Sequence, residues 1–389
     1  MAVALLILGI MLFIGLVVAH EWGHFIAARR NGVEVEEFGL GFPPRAKILS
    51  RKNGTIYSLN WLPLGGFVKL KGEHDADTTE GSYGAAGLWV KVKIMLAGVF
   101  MNLTTAFLLL TILALIGMPK LIDNQFTVFS DTKLTQQKVL VGYVEKNSPA
   151  ANAGLKVEDQ IIGYADPEHP DPLAEIDAQG TPAVTQLKAA SELQRITPAF
   201  AGKQLSIKVR TPDGTVKMLT ATLRTKDEVD ASKKTAEPKG YLGVSPTEYT
   251  LQRSTWSAPI VAAGLIKQFS VMTLQGLGSA LGNLFRGNTA AASSQVSGPV
   301  GIFILLKQGS LLGIEFILVI LAIISLTLAL INALPIPALD GGRLFVTLLF
   351  RAIRKPLKKS TEEKIHGAGF AVLLLLIVLV TIVDIKRSF

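Results

Sequence analysis

The sequence predicts a membrane protein, with four spanning helices around a metal site and one α+β module outside the bilayer. Three observations predict it. Four apolar runs, at 2–19, 94–117, 314–334 and 367–383, approach or exceed the roughly 20 residues that cross a bilayer as a helix. The first run leads into His20-Glu21-Trp22-Gly23-His24, an HExxH motif. Residues 139–225, between the second and third runs, change to short strand-like stretches separated by turn residues. Composition agrees: 49% of the 389 residues are hydrophobic and mean hydropathy is +0.41, too apolar for an ordinary soluble protein.

The first run, 2–19, carries no charge. It lacks a basic start and a small-residue cleavage site, and it continues into HExxH, so we read it as a retained helix rather than a cleaved signal peptide. Histidines four apart share one helix face and can bind one metal ion. The glutamate between them can take a proton from a water. Such motifs also arise by coincidence on helix surfaces. Ionisable residues in a transmembrane segment are costly, however, and usually functional. Residues 1–118 thus form a first membrane block with two spans, followed by a linker at 119–138.

In the module at 139–225, 139–144 has strand character and 148–154 reads as a turn into a short helix. Residues 187–196 are helical in pattern, and 205–210 alternates like a half-buried strand. Thr211-Pro212-Asp213-Gly214 turns that strand back into 216–223. The Pro-, Asp- and Ala-rich stretch 166–180 reads as a surface loop, and 226–239 as a charged, mobile connector. Residues 226–313 are assigned as a linker plus an interfacial helix: 258–284 is mostly apolar but carries Lys267, Gln268, Gln275 and four glycines. Residues 314–389 supply the last two spans.

Topology sharpens this. With four spans, the first and third runs both end on one side, which brings Asp340 to the histidines; a fifth span at 258–284 would separate them. The loop after the third run holds Arg343, Arg351, Arg354, Lys355, Lys358, Lys359 and Lys364, and the first loop is equally basic, as cytosolic loops are. Lys386 and Arg387 at the external end run mildly against the rule. The net charge of +9 fits this distribution, and because the basic residues cluster beside apolar spans no nucleic-acid partner is expected.

A catalytic zinc site takes three protein ligands. With no cysteine in the chain, they come from His, Asp or Glu. Of the other histidines, His74 lies in a polar loop, His169 in the external domain, and His366 opens the fourth run with no recognisable motif around it. Asp340 lies between Asn332-Ala333-Leu334-Pro335-Ile336-Pro337-Ala338-Leu339 and Gly341-Gly342. Two prolines there break a helix at membrane depth, where irregular backbone must be buried or line a wet cavity. On spacing alone, Asp340 suits an active site and an exposed helix N-cap equally well.

HEWGH followed by NALPIPALDGG resembles the site-2 protease family of intramembrane zinc metalloproteases. Further stretches are similar in the same order: 35–43 after the HExxH motif, Gly98 and Asn102 on the second run, and 297–302 before the third. Residues 62–69 resemble the family's membrane-associated β-hairpin, and 139–225 a PDZ domain of the permuted bacterial type. The resemblance implies Zn2+ held by His20, His24 and Asp340, with Glu21 as general base. It implies substrate contacts at Asn102, Asn332, Pro335, Pro337, Gly65, Gly66 and Phe67. Asn102 would equally serve as helix–helix glue. Leu242 and Gly243 would form the carboxylate loop of the PDZ groove, although Glu158 stands where the family has glycine. The implied enzyme sits in a bacterial inner membrane, with the active site toward the cytosol and the PDZ domain outside. Its substrates would be pre-trimmed single-pass membrane proteins, such as anti-sigma factors or remnant signal peptides. An ion transporter would show paired inverted repeats, which are not seen; a catalytically dead scaffold would not need a complete HExxH.

Overall fold

A computed structural model describes residues 2–166, 184–187, 189–233, 235, 238–288 and 297–388. In chain order the elements begin with α1 (Ala2–Arg30), β1 (Val35–Lys52), β2 (Thr55–Leu70), α2 (Leu88–Ile116) and β3 (Met118–Pro119). There follow β4 (Lys133–Val144), α3 (Pro149–Asn152), β5 (Gln160–Ala165), β6 (Thr185–Gln186), α4 (Ala190–Ile196), β7 (Gln204–Arg210), β8 (Val216–Thr222), α5 (Lys226–Ser232) and β9 (Val244–Arg253). The chain ends with α6 (Ala258–Phe285), α7 (Pro299–Leu312), α8 (Ile314–Ala333), α9 (Asp340–Ala352) and α10 (Lys359–Ser388). Two compact units result. One comprises Met1–Ile116, Asn124–Asp131 and Ser254–Phe389, and the other Gly117–Asp123 and Thr132–Arg253.

The first unit is built on long apolar helices. Among the described residues five are long and apolar enough to cross a membrane: α1, α2, α6, α8 and α10. Each of the four expected runs falls in one of them, 94–117 and 314–334 each overrunning the helix end by one residue. The fifth, α6, is the stretch read as interfacial, and its length and hydropathy also suffice for a span. A spanning α6 would nevertheless not carry Asp340 away. Near the start of α6, the Ser254 N–H donates to the Ala114 carbonyl at the far end of α2 (2.7 Å). After α6, the Gly298 N–H donates to Asp384 Oδ2 (2.8 Å). Asp384 lies about 27 Å along α10 from His366, which touches the turn before Asp340. The chain is therefore back at the far end of the helices before α8 sets out, whichever path α6 takes.

β1 and β2 form a longer structure than the 62–69 hairpin suggested. The first half of β1 pairs on both sides with β2: Leu40 faces Leu59 and Gly66, and Phe38 faces Tyr57 and Val68. The second half of β1 pairs only with the start of β2, from Arg45↔Asn60 to Lys52↔Thr55. Two bent strands thus make four ribbons, and 66–70 is an edge. Glu37 ties the ribbons together, accepting from Arg45 Nε (3.0 Å) and Ser58 Oγ (2.5 Å). Burial opposes its charge, but the bonds from Arg45 and Ser58 hold its carboxyl below the ordinary range.

The second unit is a seven-stranded antiparallel sheet in the order β3-β9-β4-β5-β7-β8, with β6 on β5. Its core gathers Val139, Val141, Ile161, Leu205, Ile207 and Val209 from strands and Leu193 from α4. The strands at 139–144, 205–210 and 216–223 and the short helices near 149 and 190 stand where expected. The unit runs beyond 139–225 on both sides. β4 begins at Lys133, inside the expected linker, and pairs with β9 from Lys133↔Arg253 to Val144↔Val244. The charged connector begins as α5, where Thr225 and Glu228 bond reciprocally as a capping box. Most of the expected 166–180 loop lies outside the described residues.

Candidate metal centre

α1 runs through the HExxH motif and six residues past His24. Its 3.6-residue period stacks His20 over His24, with Nε2 atoms 3.2 Å apart. His24 is 6% exposed, and its Nδ1 lies 2.7 Å from the Ile94 carbonyl of α2. A ring N–H donating to that carbonyl leaves Nε2 as the lone-pair donor, the usual arrangement behind a metal-ligating histidine.

Asp340 arrives from the other end of the chain. Leu334 ends α8, and Asp340 opens α9. The N-cap of α9 is Leu339 and Asp340 is its first helical residue, with a side chain only 20% exposed, so the exposed N-cap alternative is not what the structure shows. Asp340 Oδ2 instead lies 3.2 Å from His20 Nε2 and 3.1 Å from His24 Nε2. Three donor atoms face one another, and no other set of three His, Asp or Glu groups that could hold a metal was found among the described residues.

These distances test the fit to a metal. A tetrahedral zinc with bonds of about 2.0–2.1 Å spaces its ligand atoms about 3.3 Å apart. All three separations here are within about 0.2 Å of that. The set of two imidazoles and one carboxylate is also a donor set for catalytic zinc. The residues fit the ion.

Two close approaches show why glycine stands where it does. A Cβ on Gly98 of α2 would overlap His24 Nε2 and lie 2.5 Å from His20 Cε1. A Cβ on Gly342 would overlap the Ile336 carbonyl of the turn. The first lets α2 pass close against the histidine rings; the second lets α9 fold back against the proline turn that presents Asp340.

The other expected site residues fall in three groups. Glu21 is brought to the hairpin: a Cβ on Gly66 would sit 3.4 Å from its Cγ. Phe67 covers Gly39, opposite it in the register, and Gly65 takes a left-handed conformation at φ +93° against Phe42. Asn102 is 1% exposed, and neither side-chain polar atom has a hydrogen-bond partner. Helix–helix glue at this position comes instead from its backbone, whose carbonyl accepts from Ser325 Oγ of α8 (2.8 Å). Asn332 lies in the last turn of α8, while Pro335 and Pro337 shape the turn before Asp340. In the sheet unit, Leu242 and Gly243 line a cavity of about 250 Å³ with Leu193, Thr197 and Pro198.

Sequence reasoning missed two supports. His366 Nδ1 accepts from the Ala338 N–H (3.1 Å), where Ala338 holds φ +77°. Glu73 bridges two parts of the site. Its Oε1 accepts from the Leu70 N–H at the end of β2 (2.8 Å), and its Oε2 from Arg343, one turn after Asp340 (3.2 Å). Neither residue belongs to a motif, so only the folded positions reveal them.

Known proteins place this geometry in a family. The model of peptidase family M50 matches residues 8–376. "Putative zinc metalloprotease CPE1693" of Clostridium perfringens is 30% identical over 381 residues, 98% of each chain. The regulator of sigma-W protease RasP of Bacillus subtilis is 27% identical, again over 98% of each chain. "Putative zinc metalloprotease FN1322" of Fusobacterium nucleatum is 27% identical over all of this chain and 98% of its own. With a family model covering nearly its whole length, this chain belongs to peptidase family M50, the site-2 protease family, and is a zinc metalloprotease.

Proposed function

We propose that the protein is an intramembrane endopeptidase that cuts the membrane segments of single-pass proteins already trimmed outside the bilayer. One observation carries this: two of the three donor atoms come from α1, a helix apolar enough to cross a membrane, the third follows the turn that ends α8, another such helix, and the free edge of β2 lies beside Glu21. The spanning core in this reading is α1, α2, α8 and α10, with α6 at the interface.

A helical substrate buries its peptide bonds in its own hydrogen bonds, so it must unwind first. The 66–70 ribbon pairs with β1 on one side only and offers its other edge for strand addition. Gly66 leaves room for that strand beside Glu21. Asn102, buried with both amide atoms unpartnered, and Asn332 take the backbone groups that unwinding releases. His20, His24 and Asp340 would hold zinc, which supplies Lewis-acid polarisation of a carbonyl and makes water acidic enough to attack near neutrality. Glu21 takes the proton of the attacking water and passes it to the leaving amine.

In this reading the active site faces the cytosol of a bacterial inner membrane and the sheet unit lies outside, which the basic first loop and the basic segment after α8 support. We read that unit as a PDZ-like size filter against substrates with bulky external domains. The cavity at Leu242 and Gly243 favours a second reading, capture of a peptide end. Deletion of the unit separates them: a filter lost admits long substrates, whereas a capture site lost slows trimmed ones. The sigma-W regulator among the relatives makes anti-sigma factors the first substrates to try, with remnant signal peptides next.

Glu21→Gln tests the chemistry. The amide cannot accept the proton, so the purified variant should keep zinc and lose cleavage of a model membrane peptide by at least about 100-fold. Turnover within tenfold of wild type would remove Glu21 as the base.

A further inference from the structure

The far end of α1 carries a second feature that the protease chemistry does not use. Arg29, Arg30 and Lys52 surround a cavity of about 340 Å³ whose walls are Phe25, Ile26 and Tyr57. Among the described residues no acidic one lines it. Arg29 is held in place by donating from Nη1 to the Asn53 carbonyl (2.7 Å). The opposite rim is set by a tight turn, with Asn53 at φ 51° and Gly54 at φ 80°, that closes β1 onto β2 at Lys52↔Thr55.

A helix C-terminus ordinarily repels anions through its free carbonyls. Here three of the last four are covered, Arg29 O by the Gly32 N–H (3.4 Å). Ala27 O accepts from the Asn31 N–H and from Asn31 Nδ2 (2.8 Å), and Ala28 O accepts from the Val33 N–H (3.0 Å). The two guanidinium groups therefore dominate the local field. α1 is helical over the 28 residues Val3–Arg30, about 42 Å, with its apolar run at the start and Arg29 and Arg30 at its end. A bilayer with its headgroups is about 40–45 Å thick, so a helix of this length that enters at one headgroup layer ends in the other, at the level of the cavity. Below it, Trp22 stacks on Phe25 (5.0 Å between centroids) and is 40% exposed, offering an apolar track in line with the cavity.

We propose that this cavity seats the phosphate of an anionic membrane phospholipid, with an acyl chain lying along Phe25 and Trp22. The bound lipid bridges the catalytic helix α1 and the turn of the hairpin. A fixed anion among three cations is worth more than diffuse attraction to a charged surface, because the guanidinium groups bind phosphate oxygens directly.

The full-length protein in lipid nanodiscs tests this. Native mass spectrometry after detergent exchange reads how many phosphatidylglycerol and phosphatidylcholine molecules remain bound. Wild type should retain phosphatidylglycerol at least tenfold more than phosphatidylcholine. At about fivefold per cation, Arg30→Gln with Lys52→Gln should weaken that retention roughly 30-fold. The charge-keeping pair Arg30→Lys with Lys52→Arg should restore most of it, and unchanged zinc content in both variants shows that the fold is intact. Equal retention of the two lipids by wild type, or wild-type retention by the neutral variant at full zinc content, would overturn the proposal. Displacement of the lipid by millimolar inorganic phosphate would assign the cavity to soluble anions and overturn it equally.

Discussion

The two arms of the metal centre are built in opposite ways. The histidines sit one turn apart on a single helix, so local geometry alone stacks their Nε2 atoms 3.2 Å apart. Asp340 reaches them from the opposite end of the chain, through a proline turn, a left-handed Ala338 and two glycines. Any α1 that forms at all will present the first arm. The second exists only when α8, α9 and α10 are all docked. The site is therefore assembled only in the folded chain, and defects in the two arms should differ in kind.

Removing a ligand from either arm should have the largest effect. His20→Ala, His24→Ala and Asp340→Ala should each release about one zinc per chain and abolish peptide cleavage, because three protein ligands are the minimum for a catalytic site. Metal analysis of the purified variants reads this directly. Full zinc content in Asp340→Ala would break the comparison at its root and leave the two histidines with some other partner.

Glycine variants come next and separate the arms. Gly98→Ala drives a methyl into both imidazoles, so it should damage the first arm although it changes no ligand. Gly342→Ala collides with the Ile336 carbonyl and should displace only Asp340. Zinc affinity measured by chelator competition should fall by about 10–100-fold in Gly342→Ala, the range seen when a ligand loses its support. It should fall further in Gly98→Ala. Wild-type affinity in both would mean that the packing is looser than the close approaches imply.

The same contrast explains what the sequence made legible. HExxH is a local pattern, and a local pattern fixes a helical pair. The second arm was legible only as a string, Leu339-Asp340-Gly341-Gly342, whose spacing fits an N-cap as well as a ligand. β1 was missed for a related reason. Pro43-Pro44 and the charges at Arg45, Lys47, Arg51 and Lys52 interrupt its alternation, and its pairing on both faces is set by β2 rather than by its own residues. β9 was missed because its partner β4 lies about a hundred residues earlier, so no hairpin signal joins them. Four of the five long helices were visible as apolar runs, since length and composition are enough to mark a candidate span, whereas α6 read as interfacial. Length and composition say nothing, however, of the path that α6 takes.

The smallest effect should come from the link between the second arm and the hairpin. Glu73 holds the Leu70 N–H of β2 with one oxygen and Arg343 of α9 with the other. It touches neither the metal nor the bond to be cut, so it is a positioning residue. The ion pair is partly exposed, with both side chains at 29%, and its contribution to stability should be small. Its consequence should lie in alignment instead: α9 free to shift moves Asp340, and β2 free to shift moves the edge beside Glu21. Arg343→Ala should therefore lower zinc affinity by less than about tenfold. It should lower kcat more than KM, because a shift of an ångström in a catalytic group is felt at the transition state. Arg343→Lys keeps the charge and should recover part of both. Glu73→Gln keeps an acceptor for Leu70 but loses the charge that holds Arg343, so it should resemble Arg343→Ala. Wild-type zinc affinity and cleavage in Arg343→Ala would show that the proline turn and His366 alone suffice to place Asp340.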